Sequence, residues 1–297
     1  MKRLLPLIFT LANILTLSIA ASAATFTVTK AANSNDGTCD ADCSIREAVA
    51  AANNGDTVNF SPSLIGQTFT LGGTEIEVFD DITIDGDIDG VNVAQISGGN
   101  TSRHFFIHPG ADVRFRNMTL VSGNGDGANF SGSGGAIHAE SGGTVDIDRL
   151  SFRSNSAVES GAIRLNGPGT HRITNSSMTN NTAGNGSALL VTQDGTLYMS
   201  NTTISRNDAT TPGQGWGAVT VFAGFVTIRN CTISENDAFR GGGMWIGAGG
   251  GYSTSIGNSI VAGNTASVEG PDIRYSANLT SAGGNLVSDD ATIPGGV

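Results

Sequence analysis

Charge is scarce in this chain of 297 residues, and lysine is almost absent. Only 14% of the residues are charged, against ~25% in an average protein, and acidic side chains outnumber basic ones by 26 to 15. Lys2 and Lys30 are the only lysines. We expect no nucleic-acid partner, because phosphate binding needs a basic stripe that this sequence lacks. The same negative balance repels acidic polysaccharides unless a cation bridges them.

Cysteine is also scarce, since the three cysteines are too few for a disulfide scaffold. Cys39 and Cys43 are close enough to form a short disulfide in an oxidising compartment. A zinc site is disfavoured because no further His or Cys lies near them in sequence. Cys231 follows its repeat at a position equivalent to Met118 and Leu150, which predicts a buried free thiol.

Only one long apolar run is present, at the start of the chain. It extends from Leu4 to Ile19 after two basic residues, and Ala21-Ser22-Ala23 supplies the small residues that a signal peptidase needs. The pattern predicts a signal peptide over residues 1–23 and a secreted protein. An uncleaved membrane anchor is the alternative, which the shortness of the run disfavours. No later stretch could span a bilayer, so we expect no transmembrane segment after cleavage.

Glycine is abundant, with 42 residues or about twice the usual share, but no Gly-x-y period indicates collagen. A different repeat runs through the chain: an Asn, an apolar residue three positions later, and an Asn three beyond that. The four full copies are Asn175/Met178/Asn181, Asn201/Ile204/Asn207, Asn230/Ile233/Asn236 and Asn258/Val261/Asn264, and the two degenerate copies are Arg149/Phe152/Asn155 and Asn117/Leu120/Gly123.

Short strands flank these asparagines. Alternate positions upstream are apolar, as at Val145 and Ile147, and small residues open a strand downstream, as in Gly135-Ala136-Ile137. Each repeat of 26 to 32 residues therefore predicts three short strands, which form one rung of a parallel β-helix with rungs ~4.8 Å apart. A β-sandwich is the alternative, but it gives asparagines no reason to recur. Stacked amides would bond their neighbours and satisfy the turn backbone.

The N-terminal end of a β-helix needs a cover, because it exposes apolar core and an unpaired edge. Ser44-Ile45-Arg46-Glu47 is a capping box, and Asn54-Gly55 ends the helical pattern. The apolar residues of one helical face are Ile45, Ala48, Val49 and Ala52. We therefore predict a short capping α-helix at this end.

The same segments resemble a known family. Thr38–Asn53, with the sequence TCDADCSIREAVAAAN, is similar to the CSLREA-type N-terminal module of exported bacterial right-handed β-helix proteins, with Ile45 in place of the usual Leu. Gly134-Gly135-Ala136-Ile137 resembles the repeats of polymorphic outer membrane proteins. The resemblance implies an all-β, pectate-lyase-like right-handed parallel β-helix over residues 24–297, with a cap region at 24–56. It also implies an extracellular or outer cell-surface location in a bacterium.

In proteins that resemble this fold, ligands lie over the sheet formed by the small-residue strands, which we call the first sheet. Alternation predicts two outward columns of side chains on it: His138, Arg164, Leu190, Thr220 and Trp245, and then Glu140, Asn166, Thr192 and Phe222. Aromatic groups beside polar groups indicate a glycan-binding strip, in which Trp245 offers a flat apolar face. The predicted substrate-binding residues are His138, Glu140, Arg164, Phe222 and Trp245. An ordinary exposed sheet surface is the alternative.

A polysaccharide lyase or glycoside hydrolase acting over this sheet is the competing class. A uronate lyase needs calcium-binding carboxylates beside a base; Arg164 could be that base, but Glu140 is the only carboxylate on the two columns. Glycosidases need two carboxylates ~5 to 10 Å apart, and Asp146 and Asp148 are expected on a different sheet. There they would pair across rungs with Arg114, Arg172 and Arg116. The sequence therefore favours a structural or adhesive role and assigns no catalytic residue.

The acidic residues concentrate near the N-terminus, where 12 of the 26 carboxylates lie between Asp36 and Asp89. Asp85, Asp87 and Asp89 have the DxDxDG spacing that places three oxygens around one turn, as calcium loops do. The sequence predicts calcium as a candidate ligand of these three residues. A plain β-turn after a strand is the alternative.

Overall fold

The computed structural model describes residues 22–209, 211, 213, 215–247, 251–276 and 278–288. The predicted signal peptide, apart from its last two residues, lies outside the described residues.

The described chain is a coil of short strands with one α-helix, Ile45–Ala51, and one short 3-10 helix, Pro62–Leu64. Each strand pairs with the equivalent strand of the next turn of the coil. All pairings between the named strands are parallel. The predicted parallel β-helix is confirmed.

The first sheet forms one wall of this coil. The five predicted small-residue openings each lead directly into one of its strands, as Gly135-Ala136 leads into Ile137. Its eight strands are Ile76–Val78, Phe105–Ile107, Ile137–Ala139, Ile163–Asn166, Leu189–Thr192, Val219–Val221, Met244–Ile246 and Ile273–Tyr275.

A second sheet of 17 strands forms the other two walls. Its first run is Thr25–Val28, Thr57–Phe60, Thr83–Asp85, Asp112–Val121, Thr144–Arg153, Thr170–Thr174, Gly195–Ser200, Gly224–Arg229, Ser253–Gly257 and Leu279–Ser281. Its second run is Thr68–Thr70, Ala94–Ser97, Ser177–Thr179, Thr203–Ser205, Thr232–Ser234, Ile260–Ala262 and Leu286–Val287. Asp112–Val121 and Thr144–Arg153 belong to both runs, so two rungs have one bent strand of ten residues where two short strands were expected. A third, small sheet contains Asp208–Ala209, Asp237–Arg240 and Thr265–Glu269.

The asparagine repeat forms two columns along the helix axis. The outer column lies at the bend between the two runs, where every member has the left-handed backbone that Asn tolerates better than most residues: Asn117, Arg149, Asn175, Asn201, Asn230 and Asn258. The inner column faces the interior and contains Asn155, Asn181, Asn207, Asn236 and Asn264. Each amide oxygen of the inner column after the first accepts a hydrogen bond from the amide nitrogen of the preceding rung, at 2.8–3.0 Å. The predicted amide stacking is confirmed.

The capping helix closes the N-terminal end of the core. Ser44 and Glu47 form the predicted capping box, and Ile45, Ala48, Val49 and Ala52 are all buried. Apolar side chains of every rung continue that core along the axis.

The cysteines are arranged as the spacing allows. Cys39 and Cys43, beside the capping helix, are joined in a disulfide. Cys231 is a buried free thiol, and burial raises its pKa. The thiol is therefore held in its inert, protonated form.

Candidate functional site

The two predicted outward columns exist in the first sheet. Strand register places His138 beside Arg164, Arg164 beside Leu190, Leu190 beside Thr220, and Thr220 beside Trp245. The first outward column is longer than predicted: it begins at Glu77 and Phe106 and ends at Arg274. By the same register the second outward column contains Phe79, His108, Glu140, Asn166, Thr192 and Phe222.

Half of the first outward column is buried, where the sequence suggested an open strip. His138, Leu190 and Thr220 are 0 to 1% exposed. The covering groups come from the loops that precede the strands: Phe130 lies against the His138 ring, with the ring centroids 5.3 Å apart. Sequence alternation predicts which side chains point outward, but it contains no information on a loop that folds back over them.

His138 and Glu140 form a hydrogen-bonded pair at the middle of this sheet. The His138 Nε2 atom lies 2.6 Å from a Glu140 carboxylate oxygen, and Asn166 donates its amide hydrogens to both Glu140 oxygens at 3.0 and 3.1 Å. Thr192 donates in turn to the Asn166 amide oxygen at 2.7 Å. These four side chains from three rungs form one continuous polar chain.

The protonation states of this pair follow from its surroundings. Burial lowers the pKa of His138, so the imidazole is neutral even though its hydrogen bond to Glu140 acts in the opposite direction. Burial alone would raise the pKa of Glu140, but the hydrogen bonds from His138 and Asn166 outweigh it and lower the pKa. Glu140 is therefore ionised and accepts the Nε2 proton of a neutral His138.

Arg164, on the next rung, is engaged by other protein groups. Its guanidinium donates to the Glu159 carboxylate and, at 2.7 Å, to the Ser133 hydroxyl. Glu159 and Ser133 lie in two covering loops. Arg164 therefore fastens these loops to the sheet.

A fully buried ion pair between Arg103 and Glu75 fixes the longest of these covering loops. Arg103 also donates to five loop carbonyls at 2.8–3.1 Å, those of Gly125, Asn129, Phe130, Ser133 and Gly134. Glu75 accepts the backbone and amide hydrogens of Asn129.

Neither the repeat nor the strand alternation predicted this pair. Arg103 precedes its strand by two residues, at the position where other rungs have Gly135 or Gly161. The sequence does contain one sign of the pair: Arg103 is a large cation at a position where other rungs have glycine.

Trp245 does not offer a free ring face, which corrects the expectation for this residue. Trp216 stacks on it with ring centroids 4.7 Å apart and planes 14° apart, and Arg274 lies 6.0 Å from its ring centroid. Phe222 packs edge-on against Trp216 and Trp245 at 4.9 and 5.2 Å. Trp216 precedes its strand in a loop, and loop residues have no place in the alternation from which the columns were predicted. The three rings form an aromatic cluster at the C-terminal part of the sheet.

A second aromatic group lies at the N-terminal edge of the sheet. Phe79 stacks on His108 with ring centroids 3.9 Å apart, and His108 Nε2 lies 2.7 Å from a Glu77 carboxylate oxygen. Phe79 is 65% exposed. The second outward column therefore has aromatic side chains at both ends, with the polar residues Glu140, Asn166 and Thr192 between them.

The calcium candidate is a hydrogen-bonded turn. Asp85 accepts the backbone N–H of Asp87 and the amide of Asn117, while Asp87 accepts the N–H of Gly90. Asp89 accepts two backbone N–H groups, which lowers its pKa. Over the described part of the chain, no three His, Cys, Asp or Glu side chains group together so as to hold a metal ion. The three carboxylates take part in the hydrogen bonds of a turn, and calcium binding stays a prediction from the sequence.

Asp146 and Asp148 lie on the second sheet, beside the predicted arginines. Register places Asp146 between Arg114 and Arg172, and Asp148 beside Arg116. The Arg114–Asp146 contact of 3.8 Å is largely exposed, so it contributes little to stability. These carboxylates face away from the first sheet and from Glu140.

Comparison with known proteins defines the class of this fold. Residues 104–291 match the family described as right handed beta helix region, and the chain belongs to that family. A crystal structure of pectate lyase Pel9A is similar with a TM-score of 0.51 and 13% sequence identity, over 93% of this chain and 82% of that chain. No curated protein matches. The helices of the described residues include none long and apolar enough to cross a membrane.

Proposed function

We propose that this protein is exported and binds glycans over its first sheet, in a structural or adhesive role outside the bacterial cell or on its surface. The predicted signal peptide and the CSLREA-like segment Thr38–Asn53 support export. The acidic balance of the chain disfavours nucleic acid and is compatible with neutral polysaccharides or other neutral cell-surface polymers as partners.

The second outward column carries the proposal. Glu140, Asn166 and Thr192 present a polar floor with about 8 to 9% of their surface exposed, and aromatic rings lie at both ends of it. Phe79 and His108 form the N-terminal end, and Phe222 forms the C-terminal end. Six positions at ~4.8 Å per rung extend roughly 24 Å, which is long enough for several sugar rings in a row. Sugar rings pack on aromatic faces and their hydroxyls bond to such polar groups.

Binding without cleavage is favoured by the engagement of the candidate catalytic groups. The solved structure of similar fold is named a pectate lyase, yet Arg164, the base candidate here, is engaged by Glu159 and Ser133. Glu140 accepts from His138 and Asn166. A base must reach the proton that it removes, and neither group is free to do so in this arrangement.

Phe222 provides the test. We expect Phe222→Ala to lower the affinity for a bound glycan about fivefold, because a sugar ring loses an aromatic face worth roughly 1 kcal/mol. The wild-type protein would first be screened on an array of neutral and acidic glycans, and the affinity for the best ligand then measured by calorimetry.

Phe225→Ala is the matched control. Phe225 is an aromatic residue three positions away, 46% exposed, on the outward side of the second sheet. It should leave the affinity unchanged. Absence of glycan binding on the array, or an equal loss in both variants, would refute the proposal. New chain ends after incubation with pectic, alginate or neutral glycans would show a lyase or hydrolase instead.

A further inference from the structure

The first outward column contains two buried polar atoms without partners, on adjacent rungs. His138 Nδ1 and Arg164 Nε make no hydrogen bond to any described residue. Their strands are paired in register and therefore lie about 4.8 Å apart. Unpaired buried polar atoms are rare in native proteins, because each costs roughly 1–3 kcal/mol.

The two atoms are complementary in hydrogen-bonding character. Glu140 is ionised and accepts a hydrogen bond from His138 Nε2, with the two atoms 2.6 Å apart, so the neutral ring has its lone pair on Nδ1. His138 Nδ1 is therefore an acceptor. Arg164 Nε always carries a proton and is a donor. A hydroxyl group both donates and accepts, so one sugar hydroxyl could satisfy both atoms.

The charges around this position favour a neutral sugar over a uronate. Two cations, Arg103 and Arg164, are countered by three carboxylates, Glu75, Glu140 and Glu159, which gives a local balance of −1. Each guanidinium already bonds a carboxylate, so neither is left to neutralise a uronate. An added carboxylate would be repelled here, whereas a hydroxyl carries no such cost.

Phe130 covers the position with a side chain that is itself largely exposed. Its ring stacks over Phe106 at 6.0 Å and lies against the His138 ring, yet the side chain is 60% exposed. The backbone beneath it is fixed, because Arg103 donates to the Phe130 carbonyl and to four neighbouring carbonyls. Rotation of one side chain would uncover His138 without unfolding the loop.

We propose that His138 and Arg164 form a subsite for one hydroxyl-bearing ring of a neutral glycan, which enters beneath Phe130. The inference depends on the proposed glycan binding and adds the substrate class and the atoms that recognise it. His138 Nδ1 accepts from the sugar hydroxyl, Arg164 Nε donates to it, and Phe130 covers the ring once it is bound.

The nitrogen resonances of histidine provide a direct test. The chain has four histidines, so a histidine-labelled sample gives few signals. Neutral hexasaccharides of glucose, mannose and galactose would be titrated in, with hexagalacturonate as the acidic counterpart. We expect a neutral hexasaccharide to shift the His138 Nδ1 resonance, while His104 and His171, which are buried elsewhere, stay unchanged.

Two substitutions separate the roles of the ring nitrogens. His138→Gln keeps a polar group near the Nε2 position for Glu140 but removes the Nδ1 acceptor. It should lower the affinity for the neutral hexasaccharide about tenfold. His138→Asn keeps a polar atom near the Nδ1 position and should retain more of the affinity. Phe130→Ala, at an exposed side chain, should speed both association and dissociation. Unfolding temperatures of all variants would be compared, and if His138→Gln does not fold, the wild-type titration and Phe130→Ala decide the question.

The outcomes distinguish this inference from the proposed function. One outcome is a neutral hexasaccharide that binds without shifting the His138 Nδ1 resonance, and with the same association and dissociation rates in Phe130→Ala as in the wild type. That result would overturn the subsite and leave the proposed glycan binding intact. Tighter binding of hexagalacturonate would overturn the substrate class alone. Failure of every glycan to bind at millimolar concentration would remove both proposals.

Discussion

The inner and outer asparagine columns recur with the same spacing in the sequence, but the inner column faces the interior and the outer column lies at an exposed bend between two strand runs. In the inner column every residue is at most 5% exposed, and each amide bonds to the next rung except that of Asn264, which donates to Asp272. In the outer column the side chains are largely exposed, and amide bonds join only some neighbours, as between Asn175 and Asn201 or between Asn230 and Asn258.

The difference shows which property of asparagine each column uses. The inner column uses the amide, since Asn207 accepts from Asn181 and donates to Asn236 and to the Met178 carbonyl. The outer column uses the backbone, because each of its members adopts the left-handed conformation at a bend. Arg149 occupies one position of that column with the same left-handed backbone. Arginine has no side-chain amide, so the position does not depend on one.

Inward-facing polar groups should also determine the response to acid, and the sum over two buried histidines is the largest effect we expect. Burial lowers the pKa of His104 and of His171 to about 4, against an ordinary value of 6.5. The folded state therefore favours the neutral ring. This stabilisation is complete above pH 6.5 and is lost as the pH falls toward 4, by about 3 kcal/mol for each histidine.

His171→Asn tests this effect, because Asn offers an acceptor to the Val145 N–H, as His171 Nδ1 does now, and does not titrate. The free energy of unfolding would be measured by urea denaturation at pH 7 and pH 4.5. The loss between the two pH values should be smaller in the variant by about 2–3 kcal/mol. His108→Asn, at a more exposed histidine, is the control. An unchanged pH dependence in His171→Asn would contradict the prediction.

Breaking the inner column should have the next largest effect. Asn207→Ala removes an acceptor for the Asn181 backbone and side chain and a donor to the Met178 carbonyl, and leaves these groups buried. We expect the free energy of unfolding to fall by about 3 kcal/mol in urea denaturation. A loss below about 1 kcal/mol would mean that the inner amides are not needed to satisfy the turn.

The repeat made the fold predictable because stacking restricts the same positions in every rung. Asn181 and Asn207 recur at one spacing since each must bond the next, and Ile137 and Ile163 recur since each fills the same layer of the core. Such constraints are periodic and can be found in a single sequence. The same periodicity predicted that His138 and Arg164 are neighbours.

The cover of the candidate site could not be predicted in this way. Phe130 and Trp216 lie in loops, where the residue type does not recur from one rung to the next, although the backbone at Trp216 bridges to Asn185 and Arg240. Their positions depend on specific tertiary bonds, of which the Arg103 hydrogen bonds to the loop carbonyls are the clearest case. The sequence therefore predicted the outward columns and left open which parts of them are exposed.

The smallest expected effect concerns the outer column, on the same rung as the inner-column test. Asn201→Ala removes one exposed amide bond and places alanine at a φ of 52°, so the free energy of unfolding should fall by about 1 kcal/mol. Asn201→Gly removes the same amide but relaxes the backbone, and should recover most of this loss. Urea denaturation of the two variants decides between amide and backbone. Equal losses in Ala and Gly would assign the outer column to its amides, and the two columns would then differ only in burial.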